Sequence, residues 1–204
     1  MRLFIVRHGE TDLSIRGIIQ GQIQSALTMD GKLQAEAIAY RMKAEKIGRI
    51  ISSPLQRAQA TASFIGRQAR LEVEIDEDLA ERSFGIYEGN PLSGIERVLP
   101  GRLADPYFRP PKGEDMGDVL ARANAFLRKL AQETKPTVIV GHKQINKMLL
   151  ASLLGFSMEE GTRMRQSPAS ISIIEYAGGK AQAIAMDDVR HLKTPIKTER
   201  EEVF

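Results

Sequence analysis

The chain has 204 residues, 42% of them hydrophobic and 27% charged, with a formal net charge of +3. That composition suits one globular domain with a sizeable core; it excludes disorder, and no apolar run approaches the roughly 20 residues that would span a bilayer. With no cysteine, disulfides, thiolate metal sites and a catalytic thiol are excluded, a cytoplasmic location is expected, and the slight positive charge without a long basic run argues against nucleic acid.

Arg2–Val6 reads as a short buried strand, too brief for a signal peptide, followed by a loop rich in Gly, Gln and Ser. Leu33, Ala37, Ile38, Met42 and Ala44 predict a helix from about Thr28 to Glu45. Arg49–Ser52 is a second strand. Ser53-Pro54-Leu55-Gln56 then looks like a helix start, with Ser at the cap, Pro first and Gln three after the cap. Ala58, Ala62 and Ile65 continue that helix. Glu72–Ile75 reads as a strand, and Leu79–Gly89 as a loop or short strand. Residues 90–114 carry Pro91, Pro100, Pro106, Pro110 and Pro111 without a sustained period, which predicts an irregular, lid-like insertion. From Asp115 to about Glu133, the residues Val119, Leu120, Ala123, Phe126, Leu127 and Leu130 form an apolar helical stripe. Thr137–Val140 reads as a strand and Gln144–Leu154 as a helix ended by Gly155. Ser170–Tyr176 and Lys180–Met186, joined around Gly178-Gly179, read as a hairpin. The expected domain is 1–192, with a charged, loosely held tail over 193–204.

Strands alternating with helices imply an α/β domain with a mostly parallel sheet, in which ligands sit beyond the carboxyl ends of the strands. His8 and His142 each fall just past such an end, in Val6-Arg7-His8-Gly9 and Val140-Gly141-His142. Either histidine alone is more often structural, but two at equivalent strand ends point to a site. Arg57 stands in the first turn of the helix after the second strand, and Arg7 adds a second guanidinium that can fork onto phosphate oxygens. The helix starts near Arg57 and after His142 offer backbone N–H groups to an anion. Together these features suggest an anion pocket.

Arg7-His8-Gly9-Glu10-Thr11 resembles the N-terminal signature of the histidine phosphatase (phosphoglycerate mutase-like) superfamily. Gln20-Gly21 and Leu27-Thr28-x-x-Gly31 are similar to the rest of that block, and Ser52-Ser53-Pro54-Leu55-x-Arg57-Ala58-x-x-Thr61-Ala62 to the second. Leu79-x-Glu81-x-x-Phe84-Gly85-x-Tyr87-Glu88-Gly89 resembles the block that holds the general acid. Gly113-Glu114, Val140-Gly141-His142 and His191-Leu192 complete the order. The resemblance implies a three-layer α/β/α fold. It also implies a phosphohistidine mechanism without cofactor or metal: His8 as nucleophile, Glu81 as acid and then base, and Arg7, Arg57 and His142 holding the phosphoryl oxygens. It further implies contacts from Gln20 to the phosphoryl group and from Arg82 to a substrate anion, the alternatives being a solvated loop amide and a surface charge. Glu10 and Thr11 are expected to support the loop, and His191 to be structural.

The chain departs from the family pattern around this pocket. Leu13-Ser14 replaces a common Trp-Asn, Gln24 stands at a frequent acid and Ala26 at a frequent Pro. Lys143 and Asn146 follow the second histidine where Gly and Arg are common, and Lys112 and Asp115 flank Gly113-Glu114 in place of Gly and Ser. Ser14 can still donate a hydrogen bond to substrate; Lys143 either adds a cation to the pocket or points outward. None of these changes removes a core catalytic group. The segment between Gly89 and Asp115 is short for a phosphoglycerate mutase, which must keep its intermediate from water, so a phosphatase is expected, with the mutase as the alternative. A non-enzymatic binding module is a third reading. The expected partner is a small anionic phosphoester, with a homodimer as the default assembly.

Overall fold

A computed structural model describes residues 1–177 and 180–192. The expected turn at Gly178-Gly179 and the tail 193–204 lie outside the described residues. Strands β1 (Arg2–Arg7), β2 (Arg49–Ser52), β3 (Val73–Ile75), β4 (Thr137–Gly141), β5 (Ile171–Ala177) and β6 (Lys180–Asp188) form a six-stranded sheet in the order β3-β2-β4-β1-β5-β6. The pairs β3/β2, β2/β4 and β4/β1 are parallel. Strands β5 and β6 join antiparallel, as the expected hairpin.

Strand alternation sorts the core into two halves. Leu3, Ile5, Ile51 and Ile139 face one side, where they meet Val119, Ala123 and Phe126 of α5 (Met116–Lys129) and Ile145, Met148 and Leu149 of α6 (Lys143–Leu154). Phe4, Val6, Ile50, Val138 and Val140 face the other, against Ile38 and Met42 of α2 (Met29–Met42) and Ala58, Ala62 and Ile65 of α3 (Gln56–Ala69). Both faces of the parallel strands are covered, hence their continuous apolar runs. The expected three-layer α/β/α architecture is the observed one.

Several local expectations are corrected. Helix α3 starts at Gln56 rather than at Ser53-Pro54: Ser53 Oγ accepts from Leu55 N at 3.2 Å, making a turn before the helix. The cap bond comes from elsewhere, because Gln24 Oε1 accepts from Gln56 N at 2.8 Å. The loop after β1 contains a short helix α1 (Asp12–Ile15), capped reciprocally by Thr11 and Ser14. Residues 77–79 and 85–87 are 3₁₀ turns, not a strand.

The insertion 90–114 is not wholly irregular. It carries helix α4 (Leu92–Val98), too short to announce itself by period, whose Leu92 and Ile95 pack with Ile19, Phe84 and Leu103 in a small core of their own. A further short helix, α7 (Met158–Thr162), follows Gly155, whose φ of 74° closes α6 as expected.

Candidate active site

Strand order brings the two histidines together. Strand β4 lies between β1 and β2, with Arg7 opposite Gly141 and Ser52 opposite Val140. The residues that leave those strand ends, His8, His142 and Ser53, therefore converge, and the two imidazole centroids lie 5.0 Å apart. His8 borders a cavity of about 670 Å³ whose walls also include Arg7, Arg57, Glu81, Gln20 and Lys143.

His8 Nδ1 lies 2.7 Å from the Gly9 carbonyl oxygen. A carbonyl only accepts, so Nδ1 donates, and the neutral ring then carries its lone pair on Nε2. The loop is held from beneath. Gly9 N donates to Thr61 Oγ1 at 3.2 Å, Glu10 N to Gln34 Oε1 at 2.8 Å, and Thr28 Oγ1 to Glu10 Oε1 at 2.7 Å. Glu10 thus supports the loop, as expected, while also reaching the cavity wall.

The Arg57 guanidinium is 1% exposed and donates to His142 Nδ1, Ile23 O, Ser25 Oγ and Gly21 O. Five N–H groups are available, so one on Nη2 remains for the cavity. Burial lowers its pKa to about 10, with Arg7 pushing the same way and Glu81 and Glu88 opposing; it stays cationic at neutral pH. Arg7 Nη1 donates to Gln166 O at 2.6 Å, aligning a second guanidinium on the same wall.

His142, expected to touch the phosphoryl group, lies behind the cavity wall. It is fully buried; Arg57 Nε donates to its Nδ1 at 3.2 Å, and its Nε2 lies 2.7 Å from Ser53 Oγ. Because arginine only donates, Nδ1 must be bare and Nε2–H donates to the serine. Burial first, then Arg57 and His8, hold the His142 pKa well below the usual 6.5, so the ring is neutral.

The N–H groups at the helix N-terminus after His142 are taken by a side chain. Glu81 accepts from Gln144 N at 3.1 Å, Ile145 N at 3.3 Å and Arg82 N at 2.8 Å. These bonds place its carboxyl group on the cavity wall and occupy the Gln144 and Ile145 N–H groups, while at the other helix start Gln56 N donates to Gln24. The acid block is anchored by two other glutamates. Glu88 Oε1 accepts from Phe84 N and Ser83 Oγ, and Glu114 accepts from Ser83 N and from Arg122. Arg122 also donates to the Asp78 and Ala80 carbonyls. Its helical position gave no local sign of that role.

Arg82 is not a substrate contact in this arrangement, nor a surface charge. It is 1% exposed, and its guanidinium donates to the carbonyls of Glu114, Leu103 and Phe108, pinning the 90–114 segment to the domain. Ser14 borders the cavity, but its hydroxyl donates to Thr11 O within the α1 cap. Gln20 borders it too, its Oε1 accepting from Thr11 Oγ1 and Ser25 Oγ. Lys143 is half-buried on the wall rather than pointing away. Asn146 is fully buried and donates to Val6 O, and His191 reaches the Ala169 carbonyl in its expected structural place. Arg16 and Glu96, which the motifs do not mark, also line the cavity.

The family model of the histidine phosphatase superfamily (branch 1) matches residues 3–189. The chain is 32% identical to a protein of Photorhabdus laumondii named "Probable phosphoglycerate mutase GpmB", over 96% of each chain. Among solved structures, it is similar to a mycobacterial glucosyl-3-phosphoglycerate phosphatase complexed with VO3, with 30% identity, a TM-score of 0.85, and 91% and 98% of the two chains covered. An α-ribazole phosphatase from Shigella flexneri matches with 26% identity, a TM-score of 0.86, and 92% and 96% covered. Among the described residues, no helix is long and apolar enough to cross a membrane.

Proposed function

The chain belongs to the histidine phosphatase superfamily (branch 1), and from that premise we propose that it is a phosphomonoester hydrolase acting on a small anionic phosphoester through a phosphohistidine intermediate. One observation carries the reading: the Gly9 carbonyl fixes the His8 tautomer whose lone pair sits on Nε2, on a wall shared with Arg7, Arg57 and the Glu81 carboxyl. His8 Nε2 attacks phosphorus as the bond to the leaving oxygen breaks, and Glu81 gives that oxygen a proton. A water molecule then loses a proton to Glu81 and attacks the phosphorus; the P–N bond breaks, releasing inorganic phosphate and neutral imidazole. Arg7 and Arg57 hold the non-bridging oxygens throughout, with no reorganisation needed as charge shifts among them. His142 acts one bond away by fixing the plane of Arg57.

The test is turnover of p-nitrophenyl phosphate. His8→Ala is expected to lose at least roughly a thousandfold in kcat while remaining folded. Rapid-quench mass analysis of the wild type is expected to find a phosphoryl adduct that the variant lacks. Undiminished phosphate release by His8→Ala would refute the mechanism.

The similarity to a protein named as a phosphoglycerate mutase supports a second reading. Isomerisation of 3-phosphoglycerate with a 2,3-bisphosphoglycerate primer, faster than hydrolysis, would select it.

A further inference from the structure

We propose that Arg16, at the mouth of the cavity, determines substrate specificity by binding an oxyanion carried on the leaving group. The substrate class is then a phosphomonoester whose alcohol bears a carboxylate or a second phosphate, directed away from His8 and toward the opening. This deepens the phosphatase reading above and rests on it.

The cavity, at about 670 Å³, is far larger than a phosphoryl group needs and falls within the range of roughly 300–1,000 Å³ that takes a ligand of many atoms. Exposure tells its floor from its mouth. Arg7, His8 and Arg57 are 5%, 5% and 1% exposed and form the floor, whereas Ile15, Arg16 and Ser93 are exposed and form the mouth. Ile19, Phe84, Leu92 and Leu103 supply an apolar wall. Lys143 is half-buried beside Gln144, whose backbone N–H binds Glu81, so it stands by the proposed acid. Of the four cations that line the cavity, Arg16 is the exposed one.

The backbone at Arg16 is fixed, but its side chain is uncommitted. Ile15 N donates to Thr11 O, Gly17 N to Ser14 O and Ile18 N to Leu13 O, and Leu92 N donates to Gly17 O. The turn is thereby tied both to α1 and to the start of α4. The Arg16 guanidinium has no hydrogen bond or ion pair among the described residues. Three carboxyl groups line the same cavity, yet each is held elsewhere: Glu10 by Thr28 Oγ1, Glu81 by the start of α6 and Glu96 by Gly101 N. An arginine keeps its charge at any ordinary pH and presents paired N–H groups that fit the two oxygens of a carboxylate or phosphate. A hydroxyl in the same place gains less, and an ammonium is repelled. Because the mouth is open to water, screening and the ordering of a long side chain limit the gain to roughly tenfold.

The experiment compares kcat/KM for two sets of alkyl phosphates, in wild type, Arg16→Met and Arg16→Lys. The short set is propane-1,3-diol monophosphate, its bisphosphate and 2-carboxyethyl phosphate; the long set is hexane-1,6-diol monophosphate, its bisphosphate and 5-carboxypentyl phosphate. Within a set only the terminal group changes: hydroxyl, phosphate or carboxylate. Wild type is expected to prefer at least one anion-terminated ester over its hydroxyl counterpart by about tenfold, and added salt to reduce that preference. The terminal group that gains identifies the anion, and the chain that gains gives the reach from floor to mouth. Arg16→Met, which keeps an apolar stem, is expected to abolish the preference, mostly through KM, and Arg16→Lys, which keeps the charge, to retain part of it. A wild type that favours the hydroxyl ester, or treats all three alike, in both sets overturns the proposal. So does a preference that survives Arg16→Met unchanged, which would assign the anion to Lys143. Absence of wild-type p-nitrophenyl phosphate turnover instead overturns the phosphatase reading itself, and this proposal with it.

Discussion

Arg57 Nε donates to His142 Nδ1 at 3.2 Å inside the domain, so a side chain that reaches the cavity is steered by one that does not. The bond requires a neutral His142, and protonating that ring would place a second cation against Arg57.

A pH dependence follows. The folded pKa of His142 lies well below the unfolded value near 6.5. The unfolded chain therefore binds a proton first as pH falls, and the stability contributed by the neutral ring, complete above about 6.5, is lost progressively below it down to the folded pKa. Burial also lowers the pKa of His191, with the same sign. Denaturant midpoints between neutral and mildly acidic pH are expected to fall less steeply in His142→Gln than in wild type. Identical slopes would mean that His142 is not the linked group.

Removing the Glu81 carboxyl is expected to separate substrates by leaving group. Glu81→Gln should lose roughly 10²–10⁴-fold on an alkyl phosphoester, where the departing oxygen needs a proton. The loss on p-nitrophenyl phosphate, which leaves without help, should be much smaller. Equal losses on both would point to a positioning role through α6, which Glu81 caps.

Arg82→Met should destabilise rather than impair binding. Three carbonyls lose their shared donor inside the fold, at a cost of about 3 kcal/mol or more. The denaturant midpoint should drop and the 90–114 segment should become more open to protease. A raised KM with unchanged stability would restore the substrate-contact role expected from the motif.

Gly31→Ala tests close packing beneath His8. An alanine inside a helix ordinarily stabilises by up to about 1 kcal/mol over glycine. Here its Cβ would stand 2.0 Å from the Glu10 carbonyl oxygen, backbone that cannot swing aside, so the expected sign reverses to a loss of about 1–3 kcal/mol. Turnover should fall as well, because Glu10 lies two residues past His8, the proposed nucleophile. Thermal unfolding and p-nitrophenyl phosphate turnover measure both effects.

The reading of His8, Arg7, Arg57 and Glu81 as one site was legible in the residues, because each lies in a contiguous block or at a strand end. The role of His142 was not, since a histidine one bond behind the pocket has the same local sequence as one facing it. Arg82 and Arg122 look like surface cations along the chain; three carbonyls from a distant segment bury the first, and the acid block gathers around the second. Helix α4 and Glu96 escaped for a different reason, because seven residues are too few to show a period.

Alternating apolar runs and short motifs determined by themselves the layered α/β domain and the place of His8 at a strand end, since strand period, caps and the order of blocks are local properties. Only the tertiary structure decided which donors remain for a substrate. A hydrogen bond between residues 85 positions apart, such as that of Arg57 with His142, depends on the strand order β2-β4-β1 and on nothing adjacent in the chain.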